Sequence, residues 1–212
     1  MKRRILIFGA GVIGSTFGGV IAASGQEVTL LKEDDIYDFV FVTLRKEQVR
    51  DSLPLLQKNK SNNFVFMVNN PLGYDEWVNA LGQERVIPAF PGSGGKIENG
   101  IVFYEIVSRI IQPTTLGELK GNKSAQIKQL KTILKNAGFK VSISKNMDSW
   151  QKTHVAMVGP LGDVIYFDGG NNYSVAKNDL AIRQINLALK ENFNFLSSAG
   201  IGIVPFKLNI IR

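Results

Sequence analysis

Near the N-terminus, a short apolar segment runs from Ile5 to Phe8 directly into the sequence Gly9-Ala10-Gly11-Val12-Ile13-Gly14. The residues that follow, 15–24, have the pattern of a helix. In such a strand–turn–helix the first glycine allows the tight turn, the second lets the backbone approach a pyrophosphate, and the third lets the helix pack close to the strand. The helix N-terminus adds free N–H groups and a partial positive charge. The spacing therefore predicts that residues 9–14 bind a dinucleotide; the alternative is a tight turn that binds no nucleotide.

The composition narrows the class of protein. The chain has 212 residues, 44% of them hydrophobic and 20% charged, which is enough for one large or two small cores. It has no cysteine and one histidine, so we expect no disulfide and no metal site. A secretory signal and an apolar run of the ~20 residues that a membrane span needs are both missing, which favours a cytoplasmic protein.

The net charge of +7 could indicate nucleic-acid binding. The lysines and arginines are scattered, however, and no basic run is interleaved with aromatic residues. We therefore expect no nucleic-acid partner, and we expect the positive charge to attract an anionic cofactor and substrate instead.

The order of strand and helix patterns predicts an α/β fold. Residues 1–145 alternate strands and helices, as in a Rossmann-type doubly wound sheet. Residues 146–212 carry two long helical patterns, Met147–Phe167 and 175–199, with no strand between them, followed by a strand or loop. We therefore expect an N-terminal dinucleotide-binding domain and an all-helical C-terminal domain that is incomplete. Within the first domain, 101–107 and 110–119 are expected to form an antiparallel pair, and 91–95 a mobile loop.

One connection is too short for this fold. Residues 27–31 and 37–43 both have the pattern of buried parallel strands, yet parallel neighbours need a crossover of roughly a dozen residues or more. Either the second strand lies elsewhere in the sheet, or a segment is missing between about Leu31 and Asp34. We favour the missing segment, in which case the residues that usually distinguish NAD from NADP cannot be identified here.

The start of the helical domain carries a second group of candidate residues. Lys152, on the first turns of its helix, could face a cleft between the domains and donate a proton to a carbonyl oxygen that receives a hydride; on spacing alone a surface lysine is the alternative. His154 fits a structural or surface role better than acid–base catalysis. The carboxylates Asp148 and Asp163 have no obvious partner.

Several segments, in this order, resemble one family. The glycine turn is followed by GGVIAASGQEVTLL, DFVFVTLRKEQV, NNPLG and WQKTH, and this series is similar to that of the ketopantoate reductases (2-dehydropantoate 2-reductases). The resemblance covers essentially the whole chain. It implies a Rossmann domain followed by a helical domain, and reduction of 2-dehydropantoate to pantoate with NADPH, in coenzyme A synthesis.

The resemblance also implies roles for single residues. Gly9, Gly11 and Gly14 would hold the pyrophosphate. Arg45 stands where the family has a lysine near the cofactor. Asn70 matches an asparagine that contacts cofactor and substrate, although Pro71 replaces the family's glycine after it. Lys152 matches the proton-donating lysine.

Other positions depart from the family. One and two turns beyond Lys152, where the family has two substrate-holding asparagines, the chain has Val155-Ala156 and Gly159-Pro160. Asn171 and Asn172 lie near a later substrate asparagine, and the family's C-terminal Ser and Glu have no counterpart before Arg212. The chain is then truncated, or it is a divergent member with a different 2-oxoacid substrate or a sensor role. The long helices could also pair two chains into a homodimer, although an internal core explains their apolar faces equally well.

Overall fold

The computed structural model describes residues 2–30, 35–120 and 124–211. Its contacts divide it into two units, Met1–Met147 and Asp148–Arg212. The strands are β1 (Arg4–Phe8), β2 (Glu27–Leu30), β3 (Phe39–Val42), β4 (Phe64–Met67), β5 (Val86–Phe90), β6 (Ser93–Glu98), β7 (Ile101–Ile106), β8 (Thr114–Leu116) and β9 (Val141–Ile143). The helices are α1 (Val12–Ala23), α2 (Lys46–Lys58), α3 (Asp75–Leu81), α4 (Ala125–Asn136), α5 (Met147–Phe167), α6 (Asn172–Val175) and α7 (Asp179–Ser198), with 3-10 turns at Gln83–Arg85 and Phe206–Ile211.

A seven-stranded sheet forms the centre of the first unit, in the order β2-β1-β3-β4-β5-β8-β9. Strands β1 to β5 pair in parallel, β8 is antiparallel to β5, and β9 is parallel to β8. Strands β3 and β4 are uninterrupted apolar runs and are buried at every position. Such runs are typical of parallel strands that are covered on both faces.

Helices cover both faces of this sheet. On one face, Phe17 of α1 is fully buried and stacks on Phe139 with ring centroids 4.2 Å apart, in a core cluster that includes Val65 of β4 and residues of α4. The next residue of β4, Phe66, points to the opposite face and stacks on Trp77 of α3, also at 4.2 Å. Each such buried aromatic ring stabilises the fold by roughly 1.5–3 kcal/mol. The predicted doubly wound sheet is confirmed.

The predicted antiparallel pair at 101–107 and 110–119 is wrong. Strand β7 pairs instead with β6 in a separate two-stranded sheet, so residues 93–95 belong to a strand and not to a mobile loop. The reason is local: Asn99 and Gly100, with φ of 50° and 77°, form the two-residue turn that favours a tight hairpin. Strand β8 joins the main sheet beside β5.

The strand after the short connection lies elsewhere in the sheet. Strand β3 pairs with β1 on the side opposite to β2, so β2 and β3 are not neighbours. This was the alternative that the sequence left open. The favoured explanation, a missing segment between about Leu31 and Asp34, falls outside the described residues.

The described part of the second unit is helical, as predicted. The expected helix over 175–199 is interrupted, because Asn178 accepts hydrogen bonds from the N–H groups of Leu180 and Ala181 and so begins α7 at Asp179. Residues 206–211 form a 3-10 helix where a strand or loop was expected. The core of this unit is formed by apolar residues of α5 and α7, such as Leu161 and Ile185. Among the described residues, no helix is long and apolar enough to cross a membrane.

Helix α5 continues past Pro160, and α7 supplies the hydrogen bond that this proline removes. Proline has no N–H, so residue 160 cannot donate to the carbonyl of Ala156 one turn earlier. The side-chain amide of Asn192 donates to this carbonyl oxygen at 2.9 Å. The proline and the asparagine, 32 positions apart in the sequence, therefore compensate each other.

We expect Asn192→Ala to lower the free energy of unfolding by about 1–3 kcal/mol, because it leaves the Ala156 carbonyl without this donor. In a Pro160→Ala background, residue 160 regains an N–H that can bond to Ala156, so Asn192→Ala should cost clearly less. Urea unfolding of the four proteins measures both costs. Equal costs in the two backgrounds would contradict this compensation.

Candidate functional site

Three loops with predicted site residues leave the sheet at the same edge. Strands β1, β3 and β4 are parallel neighbours, and their last paired residues, Phe8, Val42 and Phe66, lie opposite one another. The glycine turn follows β1, Arg45 follows β3, and Asn70 follows β4. Ligands of open α/β sheets bind at this carboxyl edge.

The glycine turn is tightly closed on its inner side. Gly9 has a φ of 120°, which side chains rarely adopt, and a Cβ on Gly14 would collide with the Gly9 carbonyl. Gly18, one turn further along α1, packs so closely on the sheet that a Cβ there would lie 3.2 Å from Cγ1 of Ile7. The first glycine therefore allows the tight turn, and the third allows close packing of helix on strand, as the sequence predicts.

The outer side of the turn is open. A Cβ built on Gly11 would meet no described atom within 4 Å. Gly11 is also the N-cap of α1, with no side-chain capping bond and no acidic residue in the first turn. The free N–H groups at this helix end are therefore available to an anion. Phosphate binding at residues 9–14 remains a prediction, and this geometry supports it.

Arg45 is exposed and occupies the N-cap position of α2. Its backbone N–H donates to Oε1 of Gln48 at 3.1 Å, and its guanidinium forms no ion pair with any described residue. With Lys46 next to it, two cations stand at the positive end of a helix dipole, and the Glu47 carboxylate in the first turn offsets them only in part. A bound anion would relieve this repulsion, so Arg45 stays a predicted cofactor-binding residue.

Asn70 is 2% exposed and holds its own turn together. Its Nδ2 donates to the Gly73 carbonyl at 2.6 Å, and its Oδ1 accepts from the Leu72 N–H at 3.3 Å. These bonds shape the loop that includes Pro71. Contacts of Asn70 with cofactor and substrate stay a prediction, and these internal bonds limit the free hydrogen-bonding capacity of its amide.

In the second unit, Lys152 has a partner that the sequence did not reveal. Its Nζ donates to Oδ2 of Asp148, one turn earlier on α5, at 2.6 Å. The expectation that Asp148 lacks a partner is therefore wrong, because residues four apart on a helix are neighbours. The side chains of Lys152 and Asp148 are 27% and 41% exposed, so the pair stabilises the fold by less than about 1 kcal/mol. Its main effect is to orient the ammonium along the helix.

Asn171 and Asn172 are both exposed. Oδ1 of Asn171 accepts from the N–H groups of Tyr173 and Ser174, at 2.9 and 3.3 Å, and so caps α6. Asn172 is the first residue of that helix. A role for either residue in substrate binding stays a prediction.

His154 is buried, so the surface alternative is wrong. It is 6% exposed, and its ring stacks on Trp150 with centroids 5.0 Å apart and an interplanar angle of 9°. Burial lowers the pKa of His154 to about 4, so the imidazole is neutral at pH 7. Within the described ranges, no three His, Asp or Glu side chains form a group that could hold a metal ion.

Thr43 is a residue of this edge that the sequence reasoning missed. Its Oγ1 donates to the Gly9 carbonyl at 2.8 Å. The available signal was a residue with a hydroxyl group immediately after the buried strand β3. That signal becomes informative only once β3 is known to lie beside β1.

No protein-family model matches this chain, but several named proteins and solved structures are similar to it. A protein of Pyrococcus horikoshii named 2-dehydropantoate 2-reductase is 22% identical in an alignment 246 residues long that covers 98% of this chain and 78% of the relative. A protein of the same name from Pyrococcus abyssi is 25% identical in an alignment 230 residues long that covers 93% of this chain and 75% of the relative.

Two solved structures share the fold. D-mandelate dehydrogenase with NADH and anilino(oxo)acetate has a TM-score of 0.77 and 17% identity, over 98% of this chain and 77% of that chain. A dimeric ketopantoate reductase from Staphylococcus aureus has a TM-score of 0.73 and 12% identity, over 98% of this chain and 84% of that chain.

The lowered pKa of His154 predicts a pH-dependent stability. The unfolded imidazole takes up a proton below about pH 6.5, whereas the folded one resists until about pH 4. Stability is therefore lost as the pH falls through this window. His154→Phe keeps an aromatic ring beside Trp150 and cannot titrate. Its free energy of unfolding, measured with urea, should therefore fall less between pH 7 and pH 4.5 than that of the wild type. Parallel losses in the two proteins would contradict the prediction.

Proposed function

We propose that the chain is a member of the ketopantoate reductase family and an NADPH-dependent reductase of a 2-oxoacid, with 2-dehydropantoate as the first candidate substrate. The observation that carries this proposal is the glycine turn at the N-terminus of α1. It leaves no room for a side chain at Gly9 and Gly14 but has open space at Gly11, and no side chain caps the helix there. The names of the two Pyrococcus relatives support the substrate. A place in pantothenate synthesis follows if that substrate is the natural one.

The residues of the first unit would bind and orient the cofactor. The N–H groups at the start of α1 would hold its diphosphate, and Arg45 would contribute a positive charge at the same sheet edge. Asn70 would shape the adjoining loop and contact cofactor and substrate. The bound nicotinamide would supply the hydride for the carbonyl carbon of the substrate.

Lys152 would supply the proton. As the carbonyl carbon receives a hydride, its oxygen becomes an alkoxide, and the Nζ ammonium of Lys152 would donate a hydrogen bond and then a proton to it. Asp148 would keep the ammonium oriented through the 2.6 Å contact. Asn171 and Asn172 would contribute amide groups for the substrate.

A second function has its own supporting observation. The positions one and two turns beyond Lys152 carry no amide, since Val155, Ala156, Gly159 and Pro160 occupy them. This favours a 2-oxoacid other than 2-dehydropantoate, or a dinucleotide sensor with little catalysis. D-mandelate dehydrogenase, which shares the fold, is described with NADH, so the cofactor preference is also open to test. A homodimer is part of the proposal, in line with the dimeric Staphylococcus enzyme.

An assay of NADPH and NADH oxidation with a panel of 2-oxoacids, including 2-dehydropantoate and phenyl-substituted acids, tests the proposal. We expect turnover with at least one acid and a preference for NADPH. Tight dinucleotide binding without turnover on any acid would favour the sensor. Absence of dinucleotide binding would overturn both functions.

We expect Lys152→Ala to lower kcat by two or more orders of magnitude, because general acid catalysis typically contributes 10²–10⁴-fold. Dinucleotide affinity should stay unchanged, since the glycine turn is intact. Lys190→Ala, which removes an exposed lysine of α7, is the matched control and should retain full activity. Unchanged turnover in Lys152→Ala would remove this lysine from the mechanism.

A further inference from the structure

Thr43 connects the end of β3 to the turn after β1 through its backbone N–H and its hydroxyl, which lies 3.4 Å from the Phe8 carbonyl and closer to that of Gly9. Its backbone N–H donates to the Phe8 carbonyl at 2.9 Å, and its Oγ1 donates to the Gly9 carbonyl at 2.8 Å. The first bond belongs to the pairing of two parallel strands. The second comes from the side chain and reaches the first glycine of the turn itself.

The Thr43 hydroxyl also lies where side chains on Gly9 and Gly14 would project. A Cβ built on Gly9 would lie 2.8 Å from Thr43 Oγ1, and one built on Gly14 would lie 2.6 Å from it. These separations are shorter than van der Waals contact. The requirement for glycine at both positions is therefore partly imposed by Thr43, and the three residues form one packed unit.

The bond to Gly9 fixes the direction of the next N–H group. The Gly9–Ala10 peptide is trans, so its carbonyl and its N–H point in opposite directions. Because the carbonyl points towards Thr43, the Ala10 N–H points away from it. Ala10 is exposed, and no described residue provides an acceptor for this N–H. It is next to Gly11, where the space is open.

We propose that Thr43 is a positioning residue for the dinucleotide, which holds the Gly9–Ala10 peptide so that the Ala10 N–H is presented to the diphosphate. This inference rests on the proposed function, because it assumes that residues 9–14 bind a dinucleotide. Thr43 acts through its hydrogen bond to the Gly9 carbonyl. Its contribution is made through the orientation of the turn.

Two substitutions separate the hydroxyl from the shape of the side chain. Thr43→Val keeps the shape but replaces the donor with a methyl group, which needs a longer distance from the Gly9 carbonyl than 2.8 Å. We expect it to raise the Kd for NADPH, measured by calorimetry, about tenfold. Thr43→Ser keeps the donor and should bind within about twofold of wild type. Thr115→Val is the matched control, because the buried Thr115 hydroxyl also donates to a backbone carbonyl, that of Pro113 at 3.1 Å.

A second readout follows the peptide directly. In the NMR spectrum of the ligand-free protein, the Ala10 amide should shift or broaden in Thr43→Val, and should keep its wild-type position in Thr43→Ser and Thr115→Val. Wild-type affinity in Thr43→Val, an equal loss in Thr43→Ser, or an unchanged Ala10 amide would overturn the role of Thr43 alone. If the wild-type chain binds neither NADPH nor NADH, the proposed function fails, and the role of Thr43 in binding fails with it.

Discussion

The close backbone approach between β1 and α1 determines the arrangement of the first unit. Because neither Gly14 nor Gly18 has a side chain, the helix lies almost directly on the strand, with Ile7 beneath it. At this depth Phe17 reaches Phe139 on the same face of the sheet. The packing of α1 on β1 therefore fills the core. It also places the start of α1, with its free N–H groups, at the carboxyl edge of the sheet.

The charges of the candidate residues contribute little to stability. Arg45 stands at the wrong end of a helix dipole for a cation, and its side chain has no ion-pair partner in the described ranges. Lys152 does have a partner, Asp148, but the pair is partly exposed and contributes little to stability. His154, by contrast, is buried and neutral at pH 7, so it adds no charge near Lys152.

The sequence predicted the sheet because its signals are short-range: apolar runs, a glycine turn and helices ended by glycine. It missed the β6–β7 hairpin, although Asn99-Gly100 is a recognisable turn signal. It could not predict the partners of the site side chains, because these depend on strand order and rotamers. Thr43 reaches Gly9 only because β3 pairs with β1, and Asn70 and Asn171 form local hydrogen bonds that no spacing rule reveals.

The position of β3 beside β1 has a further consequence for β2. This strand is the last in the sheet, and no described strand pairs with its outer side. Since no described strand pairs with its backbone N–H and C=O groups on that side, they could pair with a strand of another chain. Its short length, four residues, and the exposed carboxylate of Glu27 limit that hazard.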